Sequence, residues 1–549
     1  MIGPDARTHR YAPPEPLCRP GSRRRRPARL AGLVATAVAV ALSVPGAAAF
    51  AQEATFAMPS RDVGAPSYDP IRGTKLNGMT SLVFDRLVIQ DADQSFHGQL
   101  ATAWSSAEDG MSWEFTLREG VTFHDGTPFD ADTIVWWVPQ FVGTENAFMT
   151  AAIERVEVVD PLTVRFVMRN PDPNLLSNLS SIFMGVPSPT AYDRLGDDFG
   201  VTETVGSGPY RIESFTIGQE TVFVANEDYA WASDLSTNQG PPKIKTLTAR
   251  EISEDSTAFL ELKTGGVDLL MSVPTDFLPR LEGEDSANVV TLPGAELFYM
   301  PMNVTVAPFD DILVREATAF AIHQQEILDN LFGGVGEVGD NFLVSSLLEA
   351  DVDPALEIAY DPERSARLFD EAGWSMGEDG VREKDGKRLE VALWTENGTE
   401  FKRVTEVVQA QLKAVGMAAE ITVFDSASIN DMYRTGTDHQ LAVRSYSWAN
   451  ADILDWFFSG ERLGYPNVSM FEDAKADELN AVAMTGSRTW EERVDNFRAY
   501  HEYVLSQYPF APIYQPVLSF AYDNEGLTVP ESINGTRLQS QSIVDMEVM

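Results

Sequence analysis

The chain has 549 residues, 44% of them hydrophobic and 22% charged, and a formal net charge of −41. That length supports two or three domains with real cores, and so acidic a surface argues against nucleic acid and anionic lipid as partners. The single cysteine, Cys18, precedes an apolar run, so a chain processed after that run has no disulfide, thiolate nucleophile or cysteine-ligated zinc.

The N-terminal pattern comes first. Arg23, Arg24, Arg25, Arg26 and Arg29 form a basic flank, and residues 31–44 are apolar. Pro45-Gly46 breaks the run, and Ala47-Ala48-Ala49 and Ala49-Phe50-Ala51 both offer A-x-A cleavage sites. Residues 1–51 therefore read as a secretory signal peptide, too short in its apolar part to cross a bilayer. The residues usual after a twin-arginine pair are missing, so the Sec route fits better. Cys18 lies on the wrong side of the run to carry a lipid anchor. A freely soluble periplasmic protein is expected.

Residues 54–58 read as a strand, with Tyr68-Asp69-Pro70 as the bend after it. Residues 80–88 read as a helix ending in Phe84-Asp85-Arg86-Leu87. In the stretch 98–138, Trp113, Phe115 and Leu117 alternate with the period of a half-buried strand. Val121 and Phe123 alternate again, Asp125-Gly126 marks a turn, and Asp130 caps a helix from Ala131. Residues 156–159 and 163–168 flank Asp160-Pro161 as a hairpin. Gly206-Ser207-Gly208 reads as tight turns before a strand rather than a phosphate loop, because no helix follows.

Residues 256–263 read as a helix and 298–303 as a strand. One long helix is expected over 312–331, with Val314, Ala317, Ala321, Leu328 and Leu331 as its buried stripe. Gly334, Gly336 and Gly339 match G-x-G-x-x-G but lack the strand before and the helix after, so no nucleotide site is inferred. Asp361-Pro362 opens a helix closed by Gly373. Strand 389–395, helix 399–415 and strand 420–424 form a β-α-β unit, which requires parallel pairing. Helices 474–484 and 490–505 follow, then strand 511–514; the last thirty residues read as irregular.

The wording of 98–138 resembles a known family. The residues are Leu100-Ala101, Trp104, Asp109-Gly110, Trp113, Phe115, Leu117-Arg118, Gly120-Val121, Phe123-His124-Asp125-Gly126, Pro128-Phe129 and Ala131-Asp132. They are similar to the signature of the extracytoplasmic solute-binding proteins, family 5, the peptide, opine and nickel receptors of ABC importers. Further blocks extend the resemblance: Phe84 to Leu87, Gly206 to Tyr210, Gly265 to Leu269, and Pro308 to Ile322. His323 stands where the family has Asp, taken as drift on a surface turn. The resemblance implies an α/β, bilobal periplasmic-binding-protein fold, type II-like and of cluster C, with an extra small domain. Its expected division is lobe I from 52–70, 193–296 and 508–549, an inserted domain over 71–192, and lobe II over 297–507.

The candidate site is the polar-aromatic run Arg444, Tyr446, Trp448, Asn450 and Asp452, where a strand ends and a loop begins. Loops at the ends of parallel strands are where α/β sheets bind ligands. An indole supplies a flat wall and a carboxylate can hold an ammonium group. The bland alternative is a buried Trp448 with Asp452 capping the next helix. By resemblance, Trp448 matches the family's tryptophan. Relatives read W-x-D-P-D-I-L where this chain reads Trp448-Ala449-Asn450-Ala451-Asp452-Ile453-Leu454, so Asn450 replaces one acid and Asp452 keeps the other. Tyr514 resembles a second aromatic wall, and Asp69 completes the candidate set. His97, His124, His323, His439 and His501 are scattered, so no metal site and no cofactor is expected. No G-x-S-x-G or H-E-x-x-H motif occurs.

The expected function is a monomeric periplasmic receptor. It would close two lobes on a small solute, a peptide first, and deliver it to an inner-membrane ABC permease. An opine, oligosaccharide or metal chelate is the alternative solute. A secreted hydrolase using paired carboxylates is the alternative class, but with 82 acidic residues some suitable pair always exists.

Overall fold

The computed structural model describes residues 52–58, 67–76, 78–281, 287–436, 439–530, 533 and 539–549. The signal peptide expected over 1–51 lies outside them. Among the described residues, no helix is long and apolar enough to cross a membrane.

The first lobe is built on a seven-stranded sheet in the order Ala287–Leu292, Leu518–Asp523, Leu269–Leu270, Glu53–Met58, Thr246–Glu251, Glu220–Ala225, Tyr210–Thr216. Glu53–Met58 runs parallel to both of its neighbours. Phe56, Phe223, Leu247 and Phe520 are fully buried, each worth about 1.5–3 kcal/mol of apolar burial. The strand Leu518–Asp523 falls where the sequence reads as irregular. Its Phe520-Ala521 centre is buried between two antiparallel neighbours, and tertiary pairing settles so short an apolar stretch.

The inserted region carries a four-stranded antiparallel sheet in the order Ala101–Ser106, Ser112–Leu117, Thr163–Met168, Ile153–Asp160. Phe115 packs on Phe166 at 5.0 Å between ring centroids, as the alternation at Trp113, Phe115 and Leu117 requires. Asp130 caps Ala131–Trp137 in a capping box with Thr133. The apolar residues of this sheet and of the first-lobe sheet form one continuous buried cluster.

The chain between them departs from expectation. The helix expected over 80–88 stops at Val83, and Phe84 is already extended. Extension swings Asp85 inward, where it is fully buried and accepts hydrogen bonds from Gln99 Nε2, Ser207 Oγ, Tyr229 OH and Trp231 Nε1. A buried carboxylate with four donors outweighs the local helical preference. Gly206 and Gly208 press on the same segment. A Cβ at either would stand 2.0 Å from Val83 O or 2.3 Å from Leu82 O. Close backbone approach, with no positive φ at either residue, is why both are glycine.

The second lobe has a six-stranded sheet in the order Glu337–Val338, Phe510–Gln515, Glu296–Pro301, Leu441–Ser447, Glu390–Glu396, Ala418–Phe424. The expected β-α-β unit is there: Glu390–Glu396 pairs parallel with Ala418–Phe424 across helix Thr399–Ala414. Phe510–Gln515 pairs with Glu296–Pro301, so sheet membership places it in this lobe, although the expected boundary at 507 put it in the first. The single helix expected over 312–331 is two, Ile312–Phe320 and Gln324–Phe332. His323 caps the second one, its Nδ1 accepting from Glu326 N at 3.1 Å. A ring nitrogen thus does what an Asp oxygen does at an N-cap, which answers the expectation of surface drift.

The chain passes between the two sheets at Pro293 to Ala295 and at Pro516-Val517. The passages touch: a Cβ at Gly294 would lie 1.9 Å from Pro516 O. Two adjacent short passages are the geometry of a hinge.

Candidate functional site

The loop after Leu441–Ser447 lies against this hinge. Trp448 N donates to Ala295 O at 2.9 Å. Trp448 is 36% exposed, and its Nε1 donates to Asp452 Oδ1 at 2.6 Å. Asp452 N in turn donates to Asn450 Oδ1 at 3.1 Å. One tight loop therefore fixes indole, amide and carboxylate together. Burial pushes the Asp452 carboxyl up, while the nearby Arg493 and the Trp448 bond oppose the rise.

Asn450 is buried and faces the inserted domain. Its Nδ2 donates to Asn174 Oδ1 at 2.9 Å and to Ser177 Oγ at 3.1 Å. Its Oδ1 also accepts from Arg493 Nη2. Arg493 lies between the rings of Trp490 and Phe497, at 4.8 and 4.5 Å, and pairs with the buried Glu349. Gln94 Nε2 donating to Ser346 O at 2.8 Å, and Phe96 set edge-on to Trp490 at 5.5 Å, bind the same two bodies.

A cavity of 330 Å³ opens beside this loop. One wall is Ala295 and Ser447 to Asn450 from the second lobe. The other is Arg86, Gln90, Met149, Gln539 and residues of 177–183 from the first lobe and its insert. A smaller hollow of 120 Å³ shares Arg86, Gln90, Ser180, Ala449 and Gln539 with it and extends it toward Leu347. Another hollow, of 360 Å³, lies among Pro308, Trp374, Arg388 and Gln440. All its walls belong to one lobe, so lobe closure leaves it unchanged.

Of the residues singled out in the sequence, Trp448 and Asn450 line the cavity. Asp452 is not in its wall and acts on it through Trp448. Arg444 lies behind the strand in the second lobe, donating to Asn430 Oδ1 at 3.1 Å, with Glu396 at 3.7 Å. Tyr446 is buried and donates to Phe342 O at 2.8 Å. Tyr514 is stacked between Phe298 and Phe332 at 4.7 and 4.4 Å and bonded to Glu400. Asp69 is buried in its own turn, accepting from Ile71 N at 2.9 Å and Arg72 Nε at 2.6 Å. The sequence reading missed the opposite wall, Arg86 and Ser177 to Phe183. Its one local signal was the charged pair Asp85-Arg86 inside the otherwise apolar stretch Val83 to Ile89.

The cavity wall holds an indole, several neutral hydroxyls and amides, one cation and no histidine. No group of three His, Cys, Asp or Glu placed to hold a metal occurs among the described residues. An apolar wall with a few convergent polar groups, shared by two bodies joined at a hinge, is an arrangement that suits capture of a small solute. The family model for bacterial extracellular solute-binding proteins, family 5, middle region, matches residues 95–462, and the chain belongs to that family. The glutathione-binding protein GsiB of Salmonella paratyphi A is 26% identical over 439 residues, covering 77% of this chain and 81% of that protein. The nickel-binding periplasmic protein of Escherichia coli K12 is 27% identical over 370 residues, 65% of this chain and 68% of that one. The crystal structure of NikA from Brucella suis in complex with Fe(III)-EDTA superposes with a TM-score of 0.77 at 23% identity, over 89% of this chain and 99% of that one. The fold is the bilobal periplasmic-binding-protein fold.

Proposed function

We propose that this chain is the monomeric, non-catalytic receptor of an ABC importer, exported with residues 1–51 removed, and that it captures a small peptide-like solute at Trp448. The observation that carries the reading is the cavity itself. Its walls come from both lobes, beside the Gly294 and Pro516 passages. A solute touching both walls stabilises the closed form, and closure is what a membrane permease can read. The volume of 330 Å³ is at the low end for small-molecule pockets, about 300–1,000 Å³. It suits a solute of two or three residues better than a long peptide, and a relative is named for glutathione, itself a tripeptide. The lobes divide at the passages: 52–70, 193–292 and 518–549; the insert 71–192; and 296–515.

Asp452 is proposed to position the Trp448 wall and not to grip an ammonium group, since it lies outside the cavity wall and its Oδ1 accepts from the indole. Mass spectrometry of the solute released from protein purified from its native source identifies the ligand. Small-angle scattering of the emptied protein should show compaction when that solute returns. Chemical turnover of the solute, or no compaction, would refute the receptor reading.

A further inference from the structure

Arg86 is 2% exposed. Its Nη1 donates to Ser180 O at 2.6 Å and its Nη2 to Gln539 Oε1 at 2.9 Å. Its Nε is buried with no partner. Ser180 and Gln539, which hold the guanidinium tip, line both hollows together with Arg86. The tip therefore stands in the cavity wall.

The charge is not neutralised by a bonded carboxylate. Asp85, next in the chain, spends both oxygens on Gln99, Ser207, Tyr229 and Trp231. Among the described residues no carboxylate comes within ion-pair distance of Arg86. Arg493 and Arg382 are as deeply buried, and each pairs with an acid. Taking a cation out of water carries a desolvation penalty that neutral acceptors offset less than an opposite charge does. Burial lowers the Arg86 guanidinium to about 10, with Asp85 opposing the fall, so it stays charged at neutral pH. In a chain of net charge −41, Arg86 is the one charged residue in the wall of the 330 Å³ cavity, and Asp91 lines only the smaller hollow beside it.

The edge that is open matters. Nε and Nη2 form one side of the planar guanidinium, the side that takes a carboxylate through two parallel hydrogen bonds. Here Nε is unpartnered and Nη2 is held only by a neutral side-chain amide. We propose that Arg86 anchors a carboxylate of the captured solute side-on at its Nε–Nη2 edge, with the Gln539 amide as the placeholder that the carboxylate displaces. This rests on the receptor reading and names the end by which the solute is held. The solute is then an acid whose remainder is neutral or apolar where it meets Trp448. Its amino group, if it has one, is not what the site reads.

The test uses the mature protein and two libraries of di- and tripeptides, one with free C-terminal carboxylates and one amidated. Members retained after rapid gel filtration are read by mass spectrometry, and the strongest acid and its amide are then titrated calorimetrically. Retention from the acid library, with the amide at least about 30-fold weaker, is expected. Arg86→Gln should weaken the acid by a similar factor and bring the acid-to-amide ratio near one, and Arg86→Lys should recover part of it. Equal affinity of acid and amide for the wild type overturns the role of Arg86 and leaves the receptor reading standing. A full acid preference surviving in Arg86→Gln does the same. Retention from neither library overturns the peptide-like reading and this proposal with it. The wild-type ratio decides even if Arg86→Gln fails to fold.

Discussion

Asn450→Ala should be far more damaging than its position on a loop suggests. Asn450 Oδ1 accepts from Arg493, a cation with 1% of its surface exposed. A hydrogen bond to a buried charge is worth about 1.5–3 kcal/mol, and leaving that N–H unpaired forfeits all of it. The two bonds from Nδ2 to Asn174 and Ser177 add about 1 kcal/mol each. Cavity water returns part of these last two, because Ser177 and Asn450 both line the cavity. The expected loss is about 3 kcal/mol, read as a lower urea midpoint at unchanged slope. Hydrogen exchange should rise in 172–181, the insert segment that Asn450 holds. Asn450→Asp keeps the acceptor for Arg493, and the Ser177 hydroxyl can turn to donate, so its loss should stay under about 1 kcal/mol. Less than about 1 kcal/mol for Asn450→Ala, with unchanged exchange in 172–181, would refute the bridging role.

Trp448→Ala should weaken the natively recovered solute by about 30-fold, as removal of a central aromatic does, while the empty protein melts within a few degrees of wild type; calorimetry and a melting curve check both. Asp452→Asn should hold affinity within a few-fold, because an amide oxygen still accepts from Trp448 Nε1; a loss beyond about 30-fold would restore Asp452 as a direct anchor. His501 is fully buried, donates Nδ1–H to Glu349 O and accepts from Phe342 N, so only the neutral ring fits, and burial lowers it to about 4. The unfolded chain takes up the proton first as pH falls, so stability is full above about pH 6.5 and drops through the window down to 4. Between pH 6.5 and 5 the loss from this group is about 2 kcal/mol, and His501→Gln should remove that slope from the urea midpoints. Gly208→Ala should destabilise by about 3 kcal/mol or prevent folding, since its methyl would stand 2.3 Å from Leu82 O.

Two residues of the cavity wall, Trp448 and Asn450, were legible for a local reason. Trp448 and Asn450 follow a strand whose end is marked by alternation, and an indole in a polar loop is a chemical signal by itself. The other candidates lie outside the cavity wall for tertiary reasons. Tyr514 and Tyr446 have the same aromatic character, but one is stacked between Phe298 and Phe332 and the other bonded to Phe342 O. Asp69 and Arg444 look functional until their partners within the lobes are seen. Arg86 gave the opposite error. It falls in the last turn of the helix expected over 80–88, and it is buried beyond the end of the observed helix, where the chain extends at Phe84 and brings Asp85 to four donors.

The sequence alone carried the inserted sheet around Phe115 and the β-α-β unit of the second lobe, because these rest on short-range periodicity, caps and turns, and it carried the family through the contiguous wording of residues 100–132. Only the tertiary structure decided which strands share a sheet. Phe510–Gln515 and Leu518–Asp523 are two residues apart and lie in different lobes. No local pattern carries that information, since pairing partners lie more than 200 residues away at Glu296–Pro301 and Ala287–Leu292. The cavity exists for the same reason. Its walls, Arg86, Ser177, Asn450 and Gln539, are brought together by two passages at Gly294 and Pro516, and closeness across a hinge is a property of the folded chain.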